Sequence, residues 1–365
     1  MIDLNRVEED VGTEASETKP SPQVKRLCEL QPRLKDDPSE LLKTGFLCRG
    51  AALLLAGPTG VGKSALAMQF KIAWAIGQPV FGIEPTRPLK SLLVQAENDE
   101  GDLFEMKQGV LAGLNLTPAQ RKAAESNVIT IQEDRRTSLT FCDEVLVPLL
   151  KEHKPDLLWI DPMFAYIGGN ASGQEHVTPF LRNMLNPLIR EAQCGLVAVH
   201  HTNKPPTGKE KSSWAGSDLA YVGSGSIEWA NWSRAVLALR SLGSHDVYEL
   251  IAAKRGARLG WLNDDGSRSF ARTIAHWREP GVICWRDAEP NEAGKTGRPK
   301  SNDADELLAL LPRAGLSTSE WKAKAASEDG ISKSTFYRLK KELEKAKRIH
   351  KSSTSDHWQP ITKKP

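Results

Sequence analysis

Residues 51–70 read AALLLAGPTGVGKSALAMQF, and the fold turns on how that stretch is taken. The first part, AALLLAG, is a short apolar run closed by glycine, the pattern of a strand buried on both faces. Gly57, Gly62, Lys63 and Ser64 then fit G-x-x-x-x-G-K-[ST], and a helical pattern follows from about 62 to 76. Strand, glycine-rich turn and helix, in that order, make a phosphate-holding loop. Glycines let the backbone approach and turn N–H groups inward, and the helix N-terminus adds roughly half a positive charge. The cradle would run through Gly57, Pro58, Thr59, Gly60, Val61, Gly62, Lys63, Ser64 and Ala65. Lys63 would reach the β- and γ-phosphates of ATP, and Ser64 would ligate Mg²⁺.

The rest of the chain sets the frame. At 365 residues there is room for two domains, or for one large domain and an appendage. Hydrophobic content of 39% and charged content of 26% are those of an ordinary globular protein. A net charge of +3 announces no polyanion partner for the chain as a whole. Cys28, Cys48, Cys142, Cys194 and Cys284 are scattered, with no C-x-x-C pair, which reads as reduced thiols and argues against a zinc site. No basic-then-apolar leader opens the sequence and no apolar run approaches the roughly 20 residues of a membrane span. A cytoplasmic protein is expected.

Strands and helices alternate downstream of the loop. KSLLVQAEN reads as a strand and DEGDLFEMKQGVLAG as a helix; SNVITIQ is a strand and FCDEVLVPLLKEHK a helix. DLLWIDP is a strand, HVTPFLRNMLNPLIREAQ a helix and GLVAVHH a strand. Such alternation predicts an α/β fold with a mainly parallel sheet flanked by helices. RAVLALRS and DVYELIAAKR read as further strands, in hairpin relation, and ARTIAHWRE with GVICWRD as a final β pair. Four units follow: an acidic, disordered segment 1–24, a core 25–287, a polar linker 288–302 and a C-terminal module 303–365. Residues 25–50 read as a short amphipathic lead-in to the core.

Two acids complete the expected chemistry. Asp161 ends the apolar strand DLLWIDP, where a carboxylate can hold Mg²⁺ opposite Ser64. Glu97 stands just past a strand expected beside the loop strand, placed to take a proton from an attacking water. Capping of the following helix would explain Glu97 equally simply, and Asn98, Asp99 and Glu100 share that reading.

Taken in order, these segments resemble a RecA-like P-loop ATPase, of the RepA-type and DnaB-type replicative helicases, over roughly residues 40–262. The resemblance is carried by AIGQPVFG with SLLVQAEN, by LLWIDP, by GLVAVHHTNK, by SDLAYVGSGSIEWAN and by LIAAKRGARLG. It implies that Glu97 activates water and that His201, beside His200, senses the γ-phosphate. It implies a basic finger acting in trans: Arg234 at the RepA-type position, or Lys254 at the DnaB-type position with Arg255 and Arg258 near it. A finger in trans implies a ring or filament, and the resemblance implies a hexamer. No primase-type helical domain precedes the core, which brings the chain nearer the plasmid type. Loops at 203–224 would line a channel for single-stranded DNA, with Lys204, Lys209 and Lys211 on phosphates and Trp214 stacked on a base. A solvated loop has the same composition.

The C-terminal segment shows three helical patterns and a tail that reads as a β wing, and so looks like a winged-helix or helix-turn-helix module. Ser317 to Glu320 fits a capping box, and Ser332 an N-cap for the third helix. Residues 331–351 concentrate Lys and Arg, which makes Lys333, Ser334, Thr335, Tyr337, Arg338 and Lys341 candidates for duplex DNA contact. A merely solvated basic face, or one docking a protein, fits too. The expected activity is ATP hydrolysis coupled to DNA unwinding or remodelling in the replication of a mobile element or its host. The alternative is an ATP-gated DNA-binding regulator or loader that does not unwind.

Overall fold

The computed structural model describes residues 24–34, 36–202, 226–242, 246–293, 303–329, 331–352 and 355–361. Lys204, Lys209, Lys211 and Trp214, the segment before residue 24 and most of the linker lie outside the described residues.

Residues 25–50 are not an amphipathic lead-in. They hold a 3₁₀ turn and then a small antiparallel hairpin, β1 (Glu40–Leu42) and β2 (Leu47–Cys48). Leu41, Leu42, Phe46 and Leu47 are buried in the main core, so the segment is part of the domain's packing. Consecutive buried residues with no helical spacing belong to a tight hairpin pressed on a core rather than to a one-sided helix.

Next come β3 (Ala52–Gly57), α1 (Lys63–Trp74), β4 (Ser91–Gln95), α2 (Glu100–Leu114), α3 (Pro118–Asn127) and β5 (Val128–Gln132). A helical stretch follows through α4 (Ser138–Thr140), a π-helical segment Phe141–Leu146 and α5 (Val147–His153), then β6 (Leu157–Asp161). A second one runs through α6 (Gln174–Thr178), a π-helical segment Pro179–Leu185 and α7 (Asn186–Glu191), then β7 (Gly195–His201). Both π segments directly precede a proline turn, at Pro148 and Pro187. Proline lacks the N–H for the i−4 bond and its ring crowds that carbonyl; a widened turn relieves both. The core closes with α8 (Glu228–Trp232), β8 (Ala235–Ser241), β9 (Val247–Lys254), β10 (Ala271–His276) and β11 (Trp285–Asp287).

These strands form one sheet in the order β11-β10-β9-β8-β3-β7-β6-β4-β5. From β8 to β5 every pairing is parallel; β8–β9, β9–β10 and β10–β11 are antiparallel. The α/β fold class, with a mainly parallel sheet and helices on both faces, is therefore as expected. The place of β4 is not. It lies between β6 and β5, with β7 and β6 standing between it and β3. Glu97 thus follows a strand three places from the loop strand, not beside it. Chain order made β4 the natural neighbour of β3, but the crossover carries it past the places later taken by β7 and β6.

Alternation along β3 divides the core. Leu53 and Leu55 face α1, meeting Leu66, Phe70 and Trp74; Ala52, Leu54 and Ala56 face the helices between 141 and 191. Phe70 stacks on Trp74 with centroids 4.6 Å apart. Burying such side chains contributes roughly 1.5–3 kcal/mol each.

Residues 303–361 form a smaller unit with its own core. It comprises α9 (Ala304–Ala309), β12 (Leu316–Ser317), α10 (Thr318–Glu328), α11 (Lys333–Lys345), β13 (Ile349–Lys351) and β14 (His357–Pro360). Its antiparallel sheet has the order β12-β14-β13. Ser317 and Glu320 make the capping box of α10, and Ser332 caps α11 through the amide of Thr335. Phe336, Leu339 and Leu343 pack against Trp321 and Ile349. Among the described residues no helix is long and apolar enough to cross a membrane.

Candidate functional site

The strand tips gather four of the expected side chains. Lys63 opens α1 and is 4% exposed. Its ammonium donates to the Pro58 carbonyl at 2.7 Å and to Nδ1 of His201 at 3.0 Å. Nδ1 therefore accepts, and the ring hydrogen sits on Nε2, which faces Glu97 Oε1 at 3.9 Å. The Thr59 hydroxyl also reaches Nδ1, at 3.3 Å. Asp161 closes β6, is 4% exposed and is hydrogen-bonded to the Ser64 hydroxyl. Adjacent residues on a strand point to opposite faces, so His200 is buried against the Trp229 ring, 4.4 Å away, while His201 faces the loop.

Charge and burial are in tension here. Burial pushes the Lys63 ammonium down to about 8, against the pull of Asp161 and Glu97. Burial raises the Asp161 carboxyl above its ordinary value, with Lys71, Ser64 and Lys63 opposing. His201 is lowered by burial and by the Lys63 charge, which keeps it neutral. No ion pair within 4 Å is made by Asp161 among the described residues, so a buried carboxylate faces cations at a distance.

The loop backbone follows from its glycines. Gly62 has φ +85°, a left-handed conformation that an L side chain resists, and a Cβ there would come within 2.7 Å of His276. Gly60 has φ +77° and open space around it. Thr59 and Gly60 are exposed at the rim of the loop.

The site includes residues that the sequence reading did not single out. Lys71, two turns after Lys63, is fully buried, sits 4.6 Å over the Trp159 ring and is pushed down to about 8 by burial. Gln95 pairs in register with Asp161 on the adjacent strand; its Oε1 is buried and has no hydrogen-bond partner among the described residues. A metal ion or its water at Asp161 and Ser64 would meet both needs, since it brings positive charge and donors to a cluster of acceptors. The residues present fit Mg²⁺ and a triphosphate.

The basic candidates differ in what they touch. The Lys254 ammonium donates to the carbonyls of Ala230 (2.9 Å), Asn231 (3.3 Å) and Ser233 (2.6 Å), closing the C-terminal end of α8. Arg255 donates to the Gly45 carbonyl at 2.8 Å and Arg258 to that of Thr44 at 2.7 Å. Arg234 is exposed, and among the described residues its guanidinium makes no hydrogen bond or ion pair. On α11, Lys333, Ser334, Tyr337, Arg338 and Lys341 are exposed, with Arg338 3.6 Å from Glu342; Thr335 is half-buried and its hydroxyl accepts from Ser332.

A family model described as an AAA domain matches residues 21–207. No curated protein matches. Among solved structures, the chain is similar to the crystal structure of the RadB recombinase, at 14% identity and a TM-score of 0.41. That match covers 66% of this chain and 92% of the other.

Proposed function

The chain belongs to the AAA domain family, and on that premise we propose that it is an ATP-hydrolysing, DNA-dependent motor or remodeller of the RepA type. The reading rests on one observation: Lys63, Glu97, Asp161 and His201 come together at the carboxyl ends of β3, β4, β6 and β7. In it, residues 25–287 are the ATPase core and residues 303–365 a winged-helix module joined by a linker.

Lys63 would give up the His201 nitrogen and the Pro58 carbonyl for phosphate oxygens. Ser64 and Asp161 would hold Mg²⁺. When bound, Mg²⁺-ATP supplies the scissile phosphoanhydride and a cation that neutralises charge developing on it. Glu97, half-exposed at the mouth, is the carboxylate placed to accept a proton from water. Neutral His201, released by Lys63, would turn toward the γ-phosphate and link it to the loop that follows β7. Of the four basic residues, Arg234 is the finger this reading favours, because the other three are engaged within their own chain. It would complete a neighbour's site in a hexameric ring. Lys204, Lys209, Lys211 and Trp214 would grip single-stranded DNA in the channel.

The test is ATP turnover with and without single-stranded DNA, with particle mass measured alongside. Turnover stimulated by DNA in a multimer, and reduced about 10²–10⁴-fold by Glu97→Gln with nucleotide still bound, is expected. Turnover indifferent to DNA and to Glu97→Gln sinks the proposal. A second reading, an ATP-gated duplex-binding regulator, draws on the exposed basic face of α11. Site-specific duplex binding without strand displacement on a forked substrate would favour it.

A further inference from the structure

We infer that His276 and Trp285 form a clamp on the outer side of the phosphate loop, positioning the peptide planes whose N–H groups line its cradle. The inference rests on the nucleotide reading of that loop.

The two residues are a directly opposed pair on the antiparallel strands β10 and β11. Their rings lie 3.8 Å apart, with Tyr248 edge-on to both. By sheet order β11 is four places from β3, yet the sheet curls over α1 and brings this pair to the loop. Nε2 of His276 lies 3.2 Å from the Val61 carbonyl, and Nε1 of Trp285 lies 3.3 Å from the Gly62 carbonyl. A carbonyl only accepts, so the His276 hydrogen is on Nε2. Burial lowers the His276 pKa, so the neutral tautomer with that hydrogen is the form at neutral pH.

The consequence follows from peptide geometry. In a planar trans peptide the C=O of one residue and the N–H of the next point in opposite directions. Holding the Val61 carbonyl turns the Gly62 N–H the other way, into the loop. The Gly62 carbonyl, shared between Trp285 and the Leu66 amide that donates to it at 3.0 Å in the first turn of α1, orients the Lys63 N–H likewise. These are the amides at the mouth of α1, where an anion would sit. The clamp is itself anchored. The Gln69 side chain donates to the Trp285 carbonyl at 2.9 Å and accepts from its amide at 2.8 Å. Behind it, the Ile283 amide donates to the Gly109 carbonyl on α2 at 3.0 Å. A Cβ at Gly109 or Gly113 would collide with Ile283 or Cys284, so the small size of both glycines lets the stretch leading into β11 lie against α2.

The experiment titrates the full chain with a fluorescent ATP analogue and Mg²⁺, and records melting without nucleotide. His276→Phe and Trp285→Phe keep the rings and remove the donors; each should weaken binding about three- to tenfold, the worth of one hydrogen bond. His276→Gln, which restores a donor, should lie within about twofold of the wild type, a rescue that a merely packing role would not give. Hydrogen exchange on the wild type adds a readout free of folding defects: nucleotide should slow exchange across residues 271–287. Wild-type binding with His276→Phe unaffected, with His276→Gln as weak as His276→Phe, or with unchanged exchange in the hairpin, overturns the clamp alone. A wild type that binds no nucleotide overturns the reading of the site and the clamp with it.

Discussion

Asp156 and Asp161 sit at opposite ends of one strand, β6, and their surroundings differ completely. Asp156 precedes the strand. It is paired with Arg49 and, at 2.9 Å, with Arg87, and its other oxygen accepts from the Lys90 amide at 2.9 Å. Asp161 ends the strand and is more deeply buried; among the described residues its carboxyl has one hydroxyl partner, with Lys71 and Lys63 held off. The first carboxylate is satisfied and ties strands together. For the second, burial outweighs the partners that the described residues supply. A buried charge left short of partners marks a place prepared for something else, and sites of chemistry concentrate such groups. Residue type does not distinguish the two; the partners do.

Exchanging each for its amide separates the roles. Asp161→Asn should lower ATP turnover at least 10²-fold and abolish its dependence on Mg²⁺, measured by steady-state hydrolysis. Asp156→Asn should leave turnover near wild type and cost about 2 kcal/mol of stability, a drop of roughly 4–8 °C in melting temperature. Equal effects of the two on both measurements would erase the contrast.

Varying pH sharpens it, because under-partnered charges shift most. Free Lys63 is held at about 8, and an anion in the loop favours its charged form, so binding takes up a proton. Nucleotide affinity should be full below that value and fall as pH rises through it, up to tenfold per pH unit, by titration at several pH values. Stability of the bare chain should move the other way. Lys63 and Lys71 are depressed in the fold from an ordinary 10.5, so the unfolded chain holds more protons between about 8 and 10.5. Melting temperature without nucleotide should therefore climb over that window. The smallest effect lies at the edge of the core. Lys254→Met removes the donor to three carbonyls at the end of α8 and should cost about 1 kcal/mol in denaturant unfolding.

Much of this was legible in the chain because it is local. The apolar run 51–57, the glycines of the loop and the alternation of strands and helices each act within a few residues. The β8–β9 hairpin, the β10–β11 pair and the caps at Ser317 and Ser332 were readable for the same reason. Pairing across the sheet was not. Nothing near Glu97 says that β4 stands three places from β3, and nothing in residues 39–48 separates a buried hairpin from an amphipathic lead-in. Lys71 reads as the polar face of a helix until Trp159 covers it.

The sequence alone determined which backbone could hold a phosphate: glycine takes the left-handed turn at Gly62 without the strain of a side chain, and the loop strand and α1 follow from their own apolar spacing. Tertiary structure decided which side chains meet that loop. Glu97, Asp161, His201, His276 and Trp285 are separated by up to nearly two hundred residues. Their meeting depends on strand order and sheet curl, which are set by burying both faces of the sheet at once rather than by any local preference.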